Sequence, residues 1–270
     1  MPKLGSLLAI ALAVFVIAPA FAGEAVAPAK PAPDKPAAEA PEAPEAAAPP
    51  PAPPPAPETV EVLDKMDAAG KDFKTIRAKF DYELNQTAYE DITKRKGDLA
   101  YVAPNLLRFE FTDKPQETFV FDGRVLYHKK DATRQLIVWE LRLPAEPQVE
   151  SLELGKTPFP LPFGQKKEQV LKFFTAARDA KEEAADSGKR AVLALTPKKG
   201  AELAKDYKKV LLWVDAKTWI PTRARLFDMS DNVTTVDFRD IETNKDLDAK
   251  QFLRPSVPQE WEVVMHAKDK

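Results

Sequence analysis

Two histidines, His128 and His266, are the side chains best suited to general-base work in a chain that has no cysteine. Neither sits in a pattern that would activate a nucleophile, because a histidine base needs a serine or thiol and an orienting group within hydrogen-bond reach. His128 follows Tyr127 and precedes Lys129-Lys130, which suggests a rim or surface position, and His266 falls in a polar C-terminal tail. No HExxH pair, calcium loop or Cys/His cluster is present to ligate a metal, and no GxGxxG or Walker-type loop to cradle phosphate. Glu182-Glu183 near Asp186 read as a solvated loop, and Asp228 with Asp231 as a hairpin turn. Lys198-Lys199, Lys205 and Lys208-Lys209 are interleaved with Glu202 and Asp206, which makes a solvated face a better reading than a docking surface for an acidic or membrane partner. The formal net charge of -2 gives no field that would draw nucleic acid. The chemistry-bearing residues thus point to a binding protein, not an enzyme, with no cofactor and no metal.

The apolar residues are better ordered. Leu107, Phe109 and Phe111 alternate with Arg108, Glu110 and Thr112, and Ala78, Phe80, Tyr82 and Leu84 alternate with Lys79, Asp81 and Glu83. That period of two belongs to strands with one dry and one wet face. Gly97 is read as the start of another strand carrying Leu99 and Tyr101, and Asp122-Gly123 as a tight hairpin turn between FVF and RVLY. Further strands are expected at Phe119 to Phe121, Arg124 to His128, Arg134 to Trp139, Ala191 to Thr196, Val210 to Val214, Thr222 to Phe227 and Thr234 to Phe238. Roughly ten antiparallel strands at hairpin spacing predict a mainly β (α+β) fold, a strongly curved sheet or unclosed barrel.

Helices flank the strands. Val62, Met66, Ala69 and Phe73 form one apolar stripe at the start of the domain, and Val170, Leu171, Phe174 and Ala177 suggest a second helix over Gln165 to Ala177. Before it, Thr157 to Gly164 places Phe159, Leu161 and Phe163 among prolines. This loop and helix either plug one end of the sheet or act as a movable lid. A curved sheet must fill its inner face with its own side chains or with a ligand.

The N-terminus reads as an export signal. Lys3, the apolar run from Leu7 to Ile17 and Ala20-Phe21-Ala22 form a signal peptide over residues 1–22, cleaved after Ala22, so the product is expected in the periplasm. Residues 23–57 are Ala, Pro and Glu-rich and predict a disordered, semi-rigid linker. Residues 58–270 form the folded domain.

Several short motifs resemble the LolA/LolB-type lipoprotein carriers: Gly97-Asp98-Leu99, Pro104-Asn105-Leu106, Asp122-Gly123 before Leu126-Tyr127, Leu195-Thr196-Pro197, and Trp219-Ile220-Pro221 running into Arg223. Phe252, Pro255 and Pro258 continue the same order. The resemblance implies an unclosed antiparallel barrel covered by helices, whose apolar inner face shields lipoprotein acyl chains between inner-membrane donor and outer-membrane acceptor proteins. It also admits sensors of mislocalised lipoprotein. One position departs: the carriers' arginine before Pro-Asn, implicated in holding the lid, is Ala103 here. Arg108 is the nearby substitute, but its alternation with Leu107 and Phe109 puts it on the opposite face.

The sequence therefore predicts a carrier or chaperone for lipoprotein acyl chains or another lipid, with Phe80, Tyr82, Leu99, Tyr101, Leu107, Phe109, Phe111, Phe159, Leu161 and Phe163 lining the site. The alternative is an envelope lipoprotein sensor or protein-binding scaffold with a self-filled core.

Overall fold

In the computed structural model, which describes residues 54–143, 146–147 and 163–267, the alternating segments become one twelve-stranded sheet. Six strands follow one another as an antiparallel meander: β1 (Thr75–Gln86), β2 (Asp91–Val102), β3 (Leu106–Phe111), β4 (Glu117–Asp122), β5 (Val125–Lys130) and β6 (Gln135–Glu140). A second meander contains β7 (Phe174–Arg178), β8 (Arg190–Pro197), β9 (Tyr207–Asp215), β10 (Pro221–Asp228) and β11 (Val233–Thr243). The two join where β1 lies antiparallel to β11, with Phe80 opposite Phe238. A last strand, β12 (Glu262–His266), pairs in parallel with β6, so β7 and β12 are the two edges and the sheet does not close.

Helix α1 (Pro57–Asp72) begins with proline, whose missing N–H costs nothing at a helix start, and has Glu58 in its first turn and Lys71 in its last, both favourable to the helix dipole. Its buried residues Val62, Leu63 and Met66 pack against Val170 of α2 (Lys167–Phe173) and against Leu193, Leu195, Leu212 and Leu226. This contact defines the inner face of the β7–β10 half. The inner face of β1–β5 holds a second cluster, built from Phe80, Leu99, Leu107, Phe109 and Phe121.

The outer face is covered by different means. After β11 a 3-10 turn over Ala249–Phe252 packs on β3 and β4, burying Phe252, and the chain then leads to β12. Strand β4 is consequently buried on both sides: Phe119 and Phe121 face inward, Thr118 and Val120 outward. On β9, Trp213 is buried against Val192 and Leu211, with the Arg223 and Arg225 guanidiniums 5.4 and 5.0 Å from its ring.

Three expectations need correction. The helix predicted over Gln165 to Ala177 stops at Phe173, and Phe174–Arg178 is instead strand β7, paired with β8. Gly97 lies inside β2, which already starts at Asp91. The supposed polar tail carrying His266 is strand β12. The predicted signal peptide, most of the linker, Phe159 and Leu161 lie outside the described residues.

Candidate functional site

Register brings the sequence-nominated residues together. Phe80 faces Gly97, Leu99 faces Phe109 and Tyr101 faces Leu107, so alternate residues of three neighbouring strands share the inner face. Phe80, Tyr82, Leu99, Tyr101, Leu107, Phe109, Phe111 and Phe163 all belong to one cluster, none more than 5% exposed. Their rings fill the space. Phe80 stacks on Phe109 with centroids 3.8 Å apart, and Phe111 meets Phe80, Tyr82 and Phe109 edge-on at 5.4 Å each. Such aromatic pairs add about 0.5–1.5 kcal/mol each beyond the area they bury.

Gly97 makes the stack possible. A Cβ built there would lie 2.4 Å from Phe80 Cζ and 1.9 Å from the Glu110 carbonyl oxygen. With no side chain between β1 and β3, the Phe80 ring crosses over the backbone of β2 to reach Phe109.

Phe163 closes this face from the side of the proline-rich segment. Its ring is 4.9 Å from that of Phe238, edge-on. The next residue, Gly164, has φ +69 and packs so closely on Tyr101 that a Cβ would lie 2.8 Å from its hydroxyl, while Gly70 of α1 approaches from the other side. The Tyr101 hydroxyl donates to the Pro104 carbonyl at 3.1 Å, and burial pushes its pKa up to about 12. Ala103 is half-buried against the same cluster. Arg108 stands on the outer face as its alternation predicts, donating to Glu110 and to the Gln251 carbonyl, on the opposite side of the sheet from Ala103 and Phe163.

The sequence missed a polar group at one end of this face. Arg95 is opposite Tyr82 and therefore points inward. It donates to Glu117 at 2.7 Å, to Asp113 at 3.1 Å and to the Pro115 carbonyl at 2.6 Å, with its guanidinium 3.9 Å over Phe111. Glu117 also bonds His128 Nε2 at 2.5 Å. His128 is only 8% exposed, which corrects the rim placement: it faces inward opposite Phe119 and stacks on it at 3.7 Å. Burial pulls the His128 pKa below its ordinary value against the opposing pull of Glu117. Burial works to raise Glu117, but hydrogen bonds and charge from His128 and Arg95 prevail and hold its pKa low. Parity with Leu126 was the available sequence signal, outweighed there by Lys129-Lys130.

Burial also raises the pKa of the Tyr82 phenol, partly offset by the Thr234 side chain. Its hydroxyl makes no hydrogen bond of acceptable geometry. Elsewhere, a polar surface pocket of about 490 Å3 is lined by Ala185, Asp186, Ser187, Lys189, Arg190 and Asp215. It lies away from the aromatic face, with Arg190 paired to Asp186 and Asp215 accepting from the backbone of Lys217 and Thr218. Among the described residues no cluster of His, Asp or Glu could hold a metal ion, and no helix is long and apolar enough to cross a membrane.

Trp219, from the Trp-Ile-Pro motif, sits at φ +56 in the β9–β10 turn under the Lys65 ammonium of α1, 4.3 Å from its ring. Trp219 packs on the α1 cluster and Ile220 on the aromatic one, so this turn links the two.

No curated protein matches the chain. Among solved structures, an uncharacterised conserved protein from Thermus thermophilus is similar at 13% identity and a TM-score of 0.44, over 77% of this chain and 99% of that one. A chain of the Pseudomonas aeruginosa MucA/MucB complex is 14% identical with a TM-score of 0.42, over 74% of this chain and 63% of its own length. A LolA superfamily protein from Nitrosomonas europaea is 13% identical with a TM-score of 0.37, over 73% and 97%. The family model that fits is described as outer membrane lipoprotein carrier protein LolA, and it spans residues 71–254, from the end of α1 to just beyond the 3-10 turn on β3 and β4. That match covers well over half of the chain and agrees with the open, helix-covered antiparallel sheet: the protein belongs to the LolA family.

Proposed function

We propose that this chain is an exported, periplasmic, non-enzymatic carrier or chaperone that holds the acyl chains of lipoproteins, or another lipid, against the inner face of β1–β5 for transfer between envelope membranes. The observation that carries this reading is the convergence of Phe80, Tyr82, Leu99, Tyr101, Leu107, Phe109 and Phe111 on one apolar face, closed laterally by Phe163. The description of the family supports it. Affinity for an acyl chain needs no polar chemistry, since each buried methylene contributes about 0.8 kcal/mol. Loading would require Phe80 to leave Phe109 and Phe163 to withdraw from Phe238, with Phe159 and Leu161 then available to the chain. Donor and acceptor proteins in the two membranes are the partners this cycle implies.

A second reading, an envelope sensor or protein-binding scaffold, is favoured by one specific observation: the face is already occupied by its own rings, with Phe80 and Phe109 in direct contact.

The test is to isolate the protein from the periplasm without detergent, analyse organic extracts by mass spectrometry, and titrate it with an acylated peptide. Stoichiometric lipid, lost in Leu107→Arg, is the expected result. An empty protein that also ignores the acylated peptide would overturn the carrier reading in favour of the second.

A further inference from the structure

Among the described residues, strand β12 is an edge of the sheet with no strand beyond it. Exposed edges are commonly blunted by lysine, proline, bulges or a covering element, because unpaired N–H and C=O groups template further strands. Among the described residues, Glu262 to His266 has no lysine, proline or bulge and no element beyond it; its protections are its five-residue length and Glu262 on the inner face, while Val263 and Met265 on the outer face are 41% and 53% exposed.

The strand is nevertheless held rigidly from behind. The Glu262 amide donates to the Arg134 carbonyl at 3.1 Å, the Glu262 carboxylate accepts from Gln135 at 2.6 Å, and His266 stacks on Trp139 at 5.6 Å. In a parallel ladder the backbone groups of alternate residues face opposite sides. Since Glu262 bonds towards β6, the N–H and C=O groups of Val263 and Met265 point away from the sheet.

We propose that this edge pairs antiparallel with β12 of a second copy of the chain, about a two-fold axis at Val264. The backbone polarity allows only registers that set odd-numbered residues against odd-numbered residues. Of these, the central one places Val263 opposite Met265 twice, buries all four exposed apolar side chains against one another, and sets Glu262 opposite His266 at both ends. The sequence of the strand is thus complementary to itself when reversed. Cross-strand polar pairs and apolar pairs each favour a sheet, whereas in the neighbouring registers Glu262 no longer faces His266. The inner-face residues Glu262, Val264 and His266 are already oriented by Gln135, Ile137 and Trp139, so pairing orders little that is not ordered in the single chain.

Sedimentation velocity over a concentration series tests this with the whole exported protein. A concentration-dependent dimer is expected. Met265→Pro removes an outward N–H and the Met265 side chain from each side of the seam while leaving the β6 ladder intact, so it should weaken dimerisation about tenfold or more. Glu262→Lys should weaken it too, and adding His266→Glu should restore it by setting Lys against Glu at both ends. A protein that stays monomeric at all concentrations overturns the proposal. So does a dimer indifferent to Met265→Pro, which would place contact elsewhere, or a monomer whose edge captures only unrelated extended peptides.

Discussion

The Phe80 ring occupies the place where Gly97 would carry a side chain, 2.4 Å from the Cβ position, and rests there on Phe109. A glycine inside a strand weakens it by entropy, and here the ring that covers it restores contact across three strands. The first prediction concerns this pair. Gly97→Ala would drive a methyl group into both a ring and the Glu110 backbone, which cannot rotate away, so it should destabilise the fold by about 1–3 kcal/mol. Urea denaturation checks it, with the midpoint falling and the slope unchanged. Phe80→Ala should cost about 3–5 kcal/mol through the cavity it leaves. If the carrier reading holds, the same variant should take up a fluorescent fatty acid more readily than the parent.

Acidification should destabilise the protein in two steps. The folded His128 pKa is depressed below its ordinary 6.5, so the unfolded chain binds that proton first. Its contribution is full above pH 6.5 and is lost as pH falls below it. Glu117 is depressed below its ordinary 4.5, so its contribution is present above that value and is lost on further acidification. Denaturation midpoints followed from pH 7.5 to well below pH 4 should show both slopes, and His128→Gln should flatten the upper one.

Arg95 holds Glu117 in place as an ion. Arg95→Met leaves that carboxylate partly buried with His128 as its remaining partner, and should cost about 3–5 kcal/mol. Adding Glu117→Gln should recover part of the loss, because the two residues share one network. Simple additivity in this double-mutant cycle would contradict the coupling.

Phe163 and Gly164 anchor the end of the proline-rich segment. Gly164→Val should force Phe163 and Gly164 off Tyr101, since both the positive φ and the 2.8 Å approach exclude a branched side chain. Hydrogen exchange should then rise around Gly70 and Gln165 while the β3–β4 amides stay protected.

Much of the inner face was legible because half-buried strands write their burial as alternation. Phe80 and Tyr82 on β1, and Leu107, Phe109 and Phe111 on β3, each share one parity, and that parity is enough to place them on one face. Strand β7 was missed for a physical reason. Phe174 to Arg178 contains two alanines, which favour helix, and Phe174 and Ala177 fit a helical stripe, so only pairing with β8 decides its conformation. Strand β12 escaped notice because its partner, β6, lies far away in sequence. The Arg95–Glu117–His128 group depends on the registers of four strands at once. No local pattern encodes it.

The covering elements are exchanged between the two meanders. Helix α1, which precedes the first meander, lies on the inner face of the second, while the turn at Ala249–Phe252 and strand β12, which follow the second, lie on the first. Each half takes part of the layer that keeps it dry from the other end of the chain, so neither is complete as an independent folding unit. Each waits for the opposite end of the chain, and the domain should melt in one cooperative transition even though its strands are laid out as two successive meanders.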